Sequence, residues 1–86
     1  MKFAAIIEYG NHDVIAEYRP KHREYLGKLR EQGKLAASGP FTDDSGALIV
    51  YETETADEAE DLLQNDPFRQ VGVFQTYQIR PWNQVF

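Results

Sequence analysis

The chain has 86 residues, a formal net charge of -5 and no cysteine. A single domain of this size buries only about 60 to 65% of its unfolded surface, so a second chain is expected to contribute to stability. The lack of cysteine excludes disulfides, thiolate nucleophiles and cysteine-bound metals and fits a reducing, cytoplasmic setting, while the acidic balance, with nine scattered basic residues, argues against nucleic-acid binding.

Met1-Lys2-Phe3 leads into alternating residues without a targeting pattern, and no apolar run is long enough for a membrane span, so a soluble, unprocessed protein is expected. Phe3 to Tyr9 alternates as a first strand, which Gly10-Asn11 ends. After a polar connection with room for a short helical turn, Pro20 suits a first helical position, and the periodicity predicts a helix from about Pro20 to Gln32. Its apolar stripe is His22, Tyr25, Leu26 and Leu29, with Arg19, Lys21 and Arg23 mostly in water and Gly33 as the left-handed residue past its end. Leu35 to Thr42, interrupted by Ser38-Gly39-Pro40, and Ala47 to Thr53 read as strands of a hairpin turning at Asp43-Asp44-Ser45-Gly46. Thr55-Ala56-Asp57-Glu58 has capping-box spacing ahead of a second helix, with Ala59, Leu62 and Leu63 inward and Pro67 as its stop. Val73 to Trp82 is the last strand, with Val73, Gln75, Tyr77 and Ile79 alternating against Phe74, Thr76, Gln78 and Arg80.

Strand, helix, strand, strand, helix, strand is the ferredoxin-like α+β pattern, here a four-stranded antiparallel sheet with two helices on one side and no internal domain boundary. The strands carry apolar residues on both faces, Phe3 and Ile7 against Ala4 and Ile6, and Leu48 and Val50 against Ile49 and Tyr51. The uncovered face therefore predicts a homodimer packed sheet to sheet, and the apolar ending Pro81 to Phe86 suits docking on that partner.

His22 is the residue that raises the question of chemistry. An imidazole on a buried stripe is either a hydrogen-bonded core histidine or an acid/base group, histidine being the side chain that titrates near neutrality. Phosphate-binding glycine loops, dinucleotide fingerprints, His-Glu-x-x-His and serine elbows are all absent. With only His12 and His22 as imidazole ligands, neither a metal nor another cofactor is expected.

Several segments, in order, resemble the YciI-like (YCII-related) family: Arg19-Pro20-x-His22; Gly33-Lys34-Leu35 leading to Gly39-Pro40; Asp66-Pro67-Phe68 followed by Val71-Gly72-Val73-Phe74; and the ending around Pro81-Trp82 and Val85-Phe86. The resemblance spans nearly the whole chain and implies a ferredoxin-like fold pairing as a dimeric α/β barrel, with an active site on a histidine and an aspartate that map to His22 and Asp66. It names no substrate, although one branch of the family is associated with dehydrochlorination of a chlorinated hydroquinone. A short hairpin at Asp43 to Gly46 sets this chain apart from longer members.

On this basis His22 is expected to act as general acid/base with Asp66 orienting it, in an elimination or isomerisation of a small, ring-derived metabolite without a cofactor. Arg19, Ser38, Tyr9 and Phe68 are expected to line the substrate cavity, Arg19 either holding an acidic group or stabilising a developing oxyanion. The alternatives are a non-catalytic dimeric binding or accessory protein in which His22 only hydrogen-bonds, and a cofactor-free monooxygenase of the same architecture. Geometry poses the difficulty. In an idealised fold of this topology the two helices run the same way, which separates the start of the first from the end of the second. Asp66 reaches His22 only if His22 sits deeper along the sheet, if the second helix is short or tilted, or if a partner chain supplies the aspartate.

Overall fold

The computed structural model describes residues 1–86. Strands β1 (Lys2–Tyr9), β2 (Leu35–Pro40), β3 (Gly46–Glu52) and β4 (Phe74–Trp82) form one antiparallel sheet in the order β2-β3-β1-β4. Helices α1 (Ile15–Glu31), α2 (Ala56–Gln64) and the single turn α3 (Pro67–Gln70) complete the chain. None of them is long and apolar enough to cross a membrane.

Alternation in β1 sends Phe3, Ala5 and Ile7 into one core with Ile49 and Tyr51 of β3, Leu26 and Leu29 of α1, and Ala59 and Leu63 of α2. This is the expected ferredoxin-like arrangement, with helices on one face. On the other face Ile6 pairs with Leu48 and Ala4 with Val50. Ile6 and Leu48 are 39% and 38% exposed, so that face carries an apolar strip in water. Gly46 explains how tightly the central pair closes, since a Cβ there would lie 1.8 Å from the Ile7 carbonyl oxygen.

The structure departs from the sequence reading at three places that matter for the site. First, α1 begins at Ile15, directly after a 3-10 turn at His12–Val14, and Pro20 lies inside it. A proline there forfeits one hydrogen bond, but Ile15 and Tyr18 in the added turns pack on the core and anchor the earlier start. Second, Pro67 opens a helix as well as closing one. Asp66 is the N-cap of α3, in extended geometry, and its side chain accepts from the Phe68 amide at 2.9 Å. Third, the register between β1 and β4 shifts at Glu8/Tyr9, so Phe74, placed by simple alternation with Thr76, turns inward and is fully buried.

Other expectations hold in outline. Thr55 caps α2 by accepting from the Glu58 amide, and Gly33 takes positive φ just past α1. The strand β2 is shorter than read, ending at Pro40. Val85 and Phe86 extend beyond β4 into solvent.

Candidate functional site

The earlier start of α1 places His22 about two turns into the helix, and α3 folds back to meet it. His22 Nδ1 lies 2.8 Å from Asp66 Oδ1 and 3.0 Å from Oδ2 within the one chain. The separation foreseen for idealised helices is thus closed by two local features, a longer α1 and the turn after α2. A carboxylate oxygen accepts, so the proton in this contact sits on Nδ1, leaving Nε2 as the free nitrogen of the ring.

The pair is held from every side. Asp66 is fully buried and its Oδ1 accepts from both His22 and the Phe68 amide, so the cap that starts α3 also aims the carboxylate. The His22 ring stacks on Phe68 with centroids 4.1 Å apart and meets the edge of Phe74 at 5.7 Å. These two rings account for an imidazole on an apolar stripe: the ring body packs as an aromatic while one nitrogen bonds the carboxylate. Arg69 of α3 fixes the turn from behind, donating to the carbonyls of Phe74 and Gln75 at 2.8 and 2.9 Å where β4 begins.

His22 opens onto a cavity of about 480 Å³ between α1 and the β2–β3 edge, a size that suits a small organic molecule. Tyr9, Arg19, Ser38 and Phe68 all line it, whereas Asp66 stands behind His22 and is not part of the wall. Ser38 reaches it because it pairs with Ile49, on the helix-covered face of the sheet. Ala47, Ile49 and Leu26 supply apolar surface. Tyr9 has its hydroxyl pKa raised by burial first and by the nearby Asp44 charge second, with Arg19 acting in the opposite sense. It is therefore a protonated donor at neutral pH.

Three further polar residues of the wall lie outside the set expected from the sequence: His12, Arg23 and Asp44. Arg23 was legible, since it follows Arg19 by one helical turn and adjoins His22. His12 and Asp44 were not, because their meeting depends on the hairpin folding over the start of α1. His12 lies near two carbonyl oxygens, Nδ1 3.2 Å from that of Gly10 and Nε2 3.3 Å from that of Asp44. Both oxygens accept, so a neutral ring donates to one of them at a time, and the contact with Asp44 links the hairpin to the end of β1. No three His, Asp or Glu side chains converge as a metal-binding group would require.

A four-stranded antiparallel sheet with helices on one face and a small-molecule-sized cavity beside a histidine–carboxylate contact defines a ferredoxin-like α+β protein with a partly open site of mixed polar and apolar lining. Its sequence matches the YCII-related domain over residues 1–83, and the chain belongs to that family. It is 28% identical to protein YciI of Escherichia coli O6:H1, over 79% of this chain and 80% of that protein. It is 33% identical to the uncharacterised protein YjpA of Bacillus subtilis over 59% and 60% of the two chains. Among solved structures, the fold superposes with a TM-score of 0.82 at 26% identity on the 5-chloro-2-hydroxyhydroquinone dehydrochlorinase TftG of Burkholderia phenoliruptrix, in complex with 2,5-dihydroxybenzoquinone. That match covers 96% of this chain and 94% of TftG. A hypothetical protein of Pyrococcus horikoshii, 16% identical with a TM-score of 0.53, shares the fold.

Proposed function

We propose that this protein is a small-molecule enzyme, a lyase or isomerase that works by proton abstraction with His22 as the acid/base group and Asp66 as its orienting partner. The observation that carries the reading is the pairing of a cavity-lining imidazole with a fully buried carboxylate through Nδ1, which leaves Nε2 to exchange protons with a ligand. Kinship with TftG supports it, because dehydrochlorination removes a proton and a chloride and so calls for a base. Nε2 takes a proton from a carbon made acidic by a neighbouring carbonyl or hydroxyl, and the imidazolium formed is stabilised by Asp66. In elimination the electron pair of the broken C–H bond forms the new double bond as the leaving group departs with its own pair. In isomerisation the imidazolium returns the proton to a second carbon. The Tyr9 hydroxyl, protonated at neutral pH, donates to the oxygen on which charge develops, and Arg19 holds an acidic group of the substrate.

The rival reading is a ligand-binding protein without turnover. The close stack of His22 on Phe68 favours it, because the same packing would serve a purely structural imidazole. A thermal-shift screen of small, ring-derived metabolites on wild type and His22→Ala, with product analysis of each hit, separates the two. Turnover in wild type and none in a folded His22→Ala supports the enzyme. Ligand stabilisation with no product for any hit supports the binding protein.

The proposed working unit is a homodimer closed by the uncovered sheet face. Ile6, Leu48 and Trp82, each more than a third exposed, belong to that face, and a second copy of the same strip is its natural cover.

A further inference from the structure

Arg19 and Arg23 stand one turn apart on α1, on either side of His22 in the sequence, and both line the cavity. Neither has a carboxylate within ion-pair distance or a side-chain hydrogen bond. The ion pairs of the fold join Glu52 to the N-terminus and to Lys2, Lys28 to Glu24, and His22 to Asp66. This is notable in a chain with 14 acidic residues against nine basic ones, where acidic partners are plentiful. Two unpaired guanidiniums about 6 Å apart at their Cβ atoms, on one wall of one cavity, form a fork for an anion.

The rest of the cavity restricts what that anion is. Phe68, Ile49, Ala47 and Leu26 give an apolar lining, so the charged group must carry an uncharged body that displaces water from it. The two nearby carboxylates leave the fork free. Asp66 is buried behind His22 and bonded to it and to the Phe68 amide, and Asp44, which lines the cavity from the hairpin turn, makes no ion pair with either arginine.

We propose that Arg19 and Arg23 together anchor the carboxylate of a small organic acid whose apolar body rests on Ile49, Ala47 and Phe68, so that the substrate class of this site is a compact, mostly apolar carboxylate. The inference rests on the reading of this cavity as the substrate site. It adds Arg23 as a specificity residue and sets charge as the first element of selection.

Benzoate is the probe, with benzamide as its neutral counterpart and acetate as an anion without the body, each titrated by NMR or calorimetry into the full-length protein. Benzoate is expected to bind wild type at least about tenfold more tightly than benzamide or acetate and to weaken as salt is raised. Arg19→Gln/Arg23→Gln is expected to bring benzoate down to the benzamide level, and Arg19→Lys/Arg23→Lys to retain a preference for the anion. Melting temperatures check that both variants are folded; if the Gln pair is not, the single variants Arg19→Gln and Arg23→Gln, each weakening benzoate, carry the test. Equal binding of benzoate and benzamide, no binding of benzoate to wild type, or benzoate affinity unchanged in folded Gln variants overturns the proposal. His22→Asn distinguishes the two readings. Benzoate binding that persists in His22→Asn supports the anchor whatever becomes of turnover, whereas turnover that persists there overturns the acid/base role alone.

Discussion

One carboxylate of Asp66 performs two tasks, capping α3 through the Phe68 amide and holding His22 through Nδ1. Substitutions separate them. Asp66→Asn keeps an acceptor for the cap but sets an amide group against Nδ1, favouring the tautomer in which Nε2 carries the proton and cannot act as a base. Under the proposed mechanism its turnover falls by about 10²-fold or more while melting shifts little. Asp66→Ala loses the cap and the partner of a mostly buried imidazole together, and chemical denaturation should show a loss of about 1–3 kcal/mol. A variant pair in which Asn destabilises as much as Ala would place the value of Asp66 in its carboxylate contact with His22 and not in the cap.

At the scale of elements, α2 and α3 pack apolar residues into the core, Ala59, Leu63 and Phe68, and polar contacts fix their ends. Arg69 spans from α3 to the carbonyls of Phe74 and Gln75, where the register shift between β1 and β4 begins. Arg69→Ala leaves these carbonyls to water and loosens the turn that carries Asp66. Urea unfolding should report about 1–2 kcal/mol lost, and turnover should fall although Arg69 does not line the cavity. Tyr25 ties α1 to the end of α2 by donating to the Leu62 carbonyl at 2.7 Å. Burial, and then the Asp66 charge, push its hydroxyl up to about 12 from 10.0. A raised folded-state pKa means that the folded chain retains a proton the unfolded chain releases. The associated stability is therefore fully present below pH 10 and is lost as pH rises through 12. Melting temperature should fall across that window, and less steeply in Tyr25→Phe, with Tyr9, Tyr51 and Tyr77, also raised first by burial, supplying the remaining slope.

At the scale of the molecule, the site lies on the helix-covered face and the bare face is the one proposed to meet a second copy. Leu48 pairs with Ile6 at the middle of the bare face, so Leu48→Glu in two copies would bring like charges into an apolar contact. Sedimentation should show wild type as a dimer and Leu48→Glu shifted toward monomer by at least about tenfold in dissociation constant. A wild type that is monomeric at high concentration would remove the proposed dimer. Gly46→Ala tests the tight closure of β1 on β3. The 1.8 Å approach to the Ile7 carbonyl forces the strands apart, and a loss of at least about 1–3 kcal/mol is expected by denaturation.

The sequence by itself determined the order of the four strands and the two longer helices, the sheet with two apolar faces, the cap at Thr55, the left-handed Gly33 and the imidazole of His22 on an apolar stripe. These are properties of local spacing: period-two alternation, helical stripes and turn chemistry act within a few residues and can be read along the chain. Asp66-Pro67 carried a local signal too, a capping side chain followed by a proline suited to open a helix, and that signal was read only as an end to α2. Tertiary structure alone decided that His22 and Asp66 touch within one chain, that Phe74 turns inward at the register shift, and that Asp44 of the hairpin lines one cavity with Arg19 and Arg23. Those outcomes depend on how α1 extends past its proline and how separate strands align. Such matters are settled by the packing of residues far apart in the chain, which no local pattern encodes.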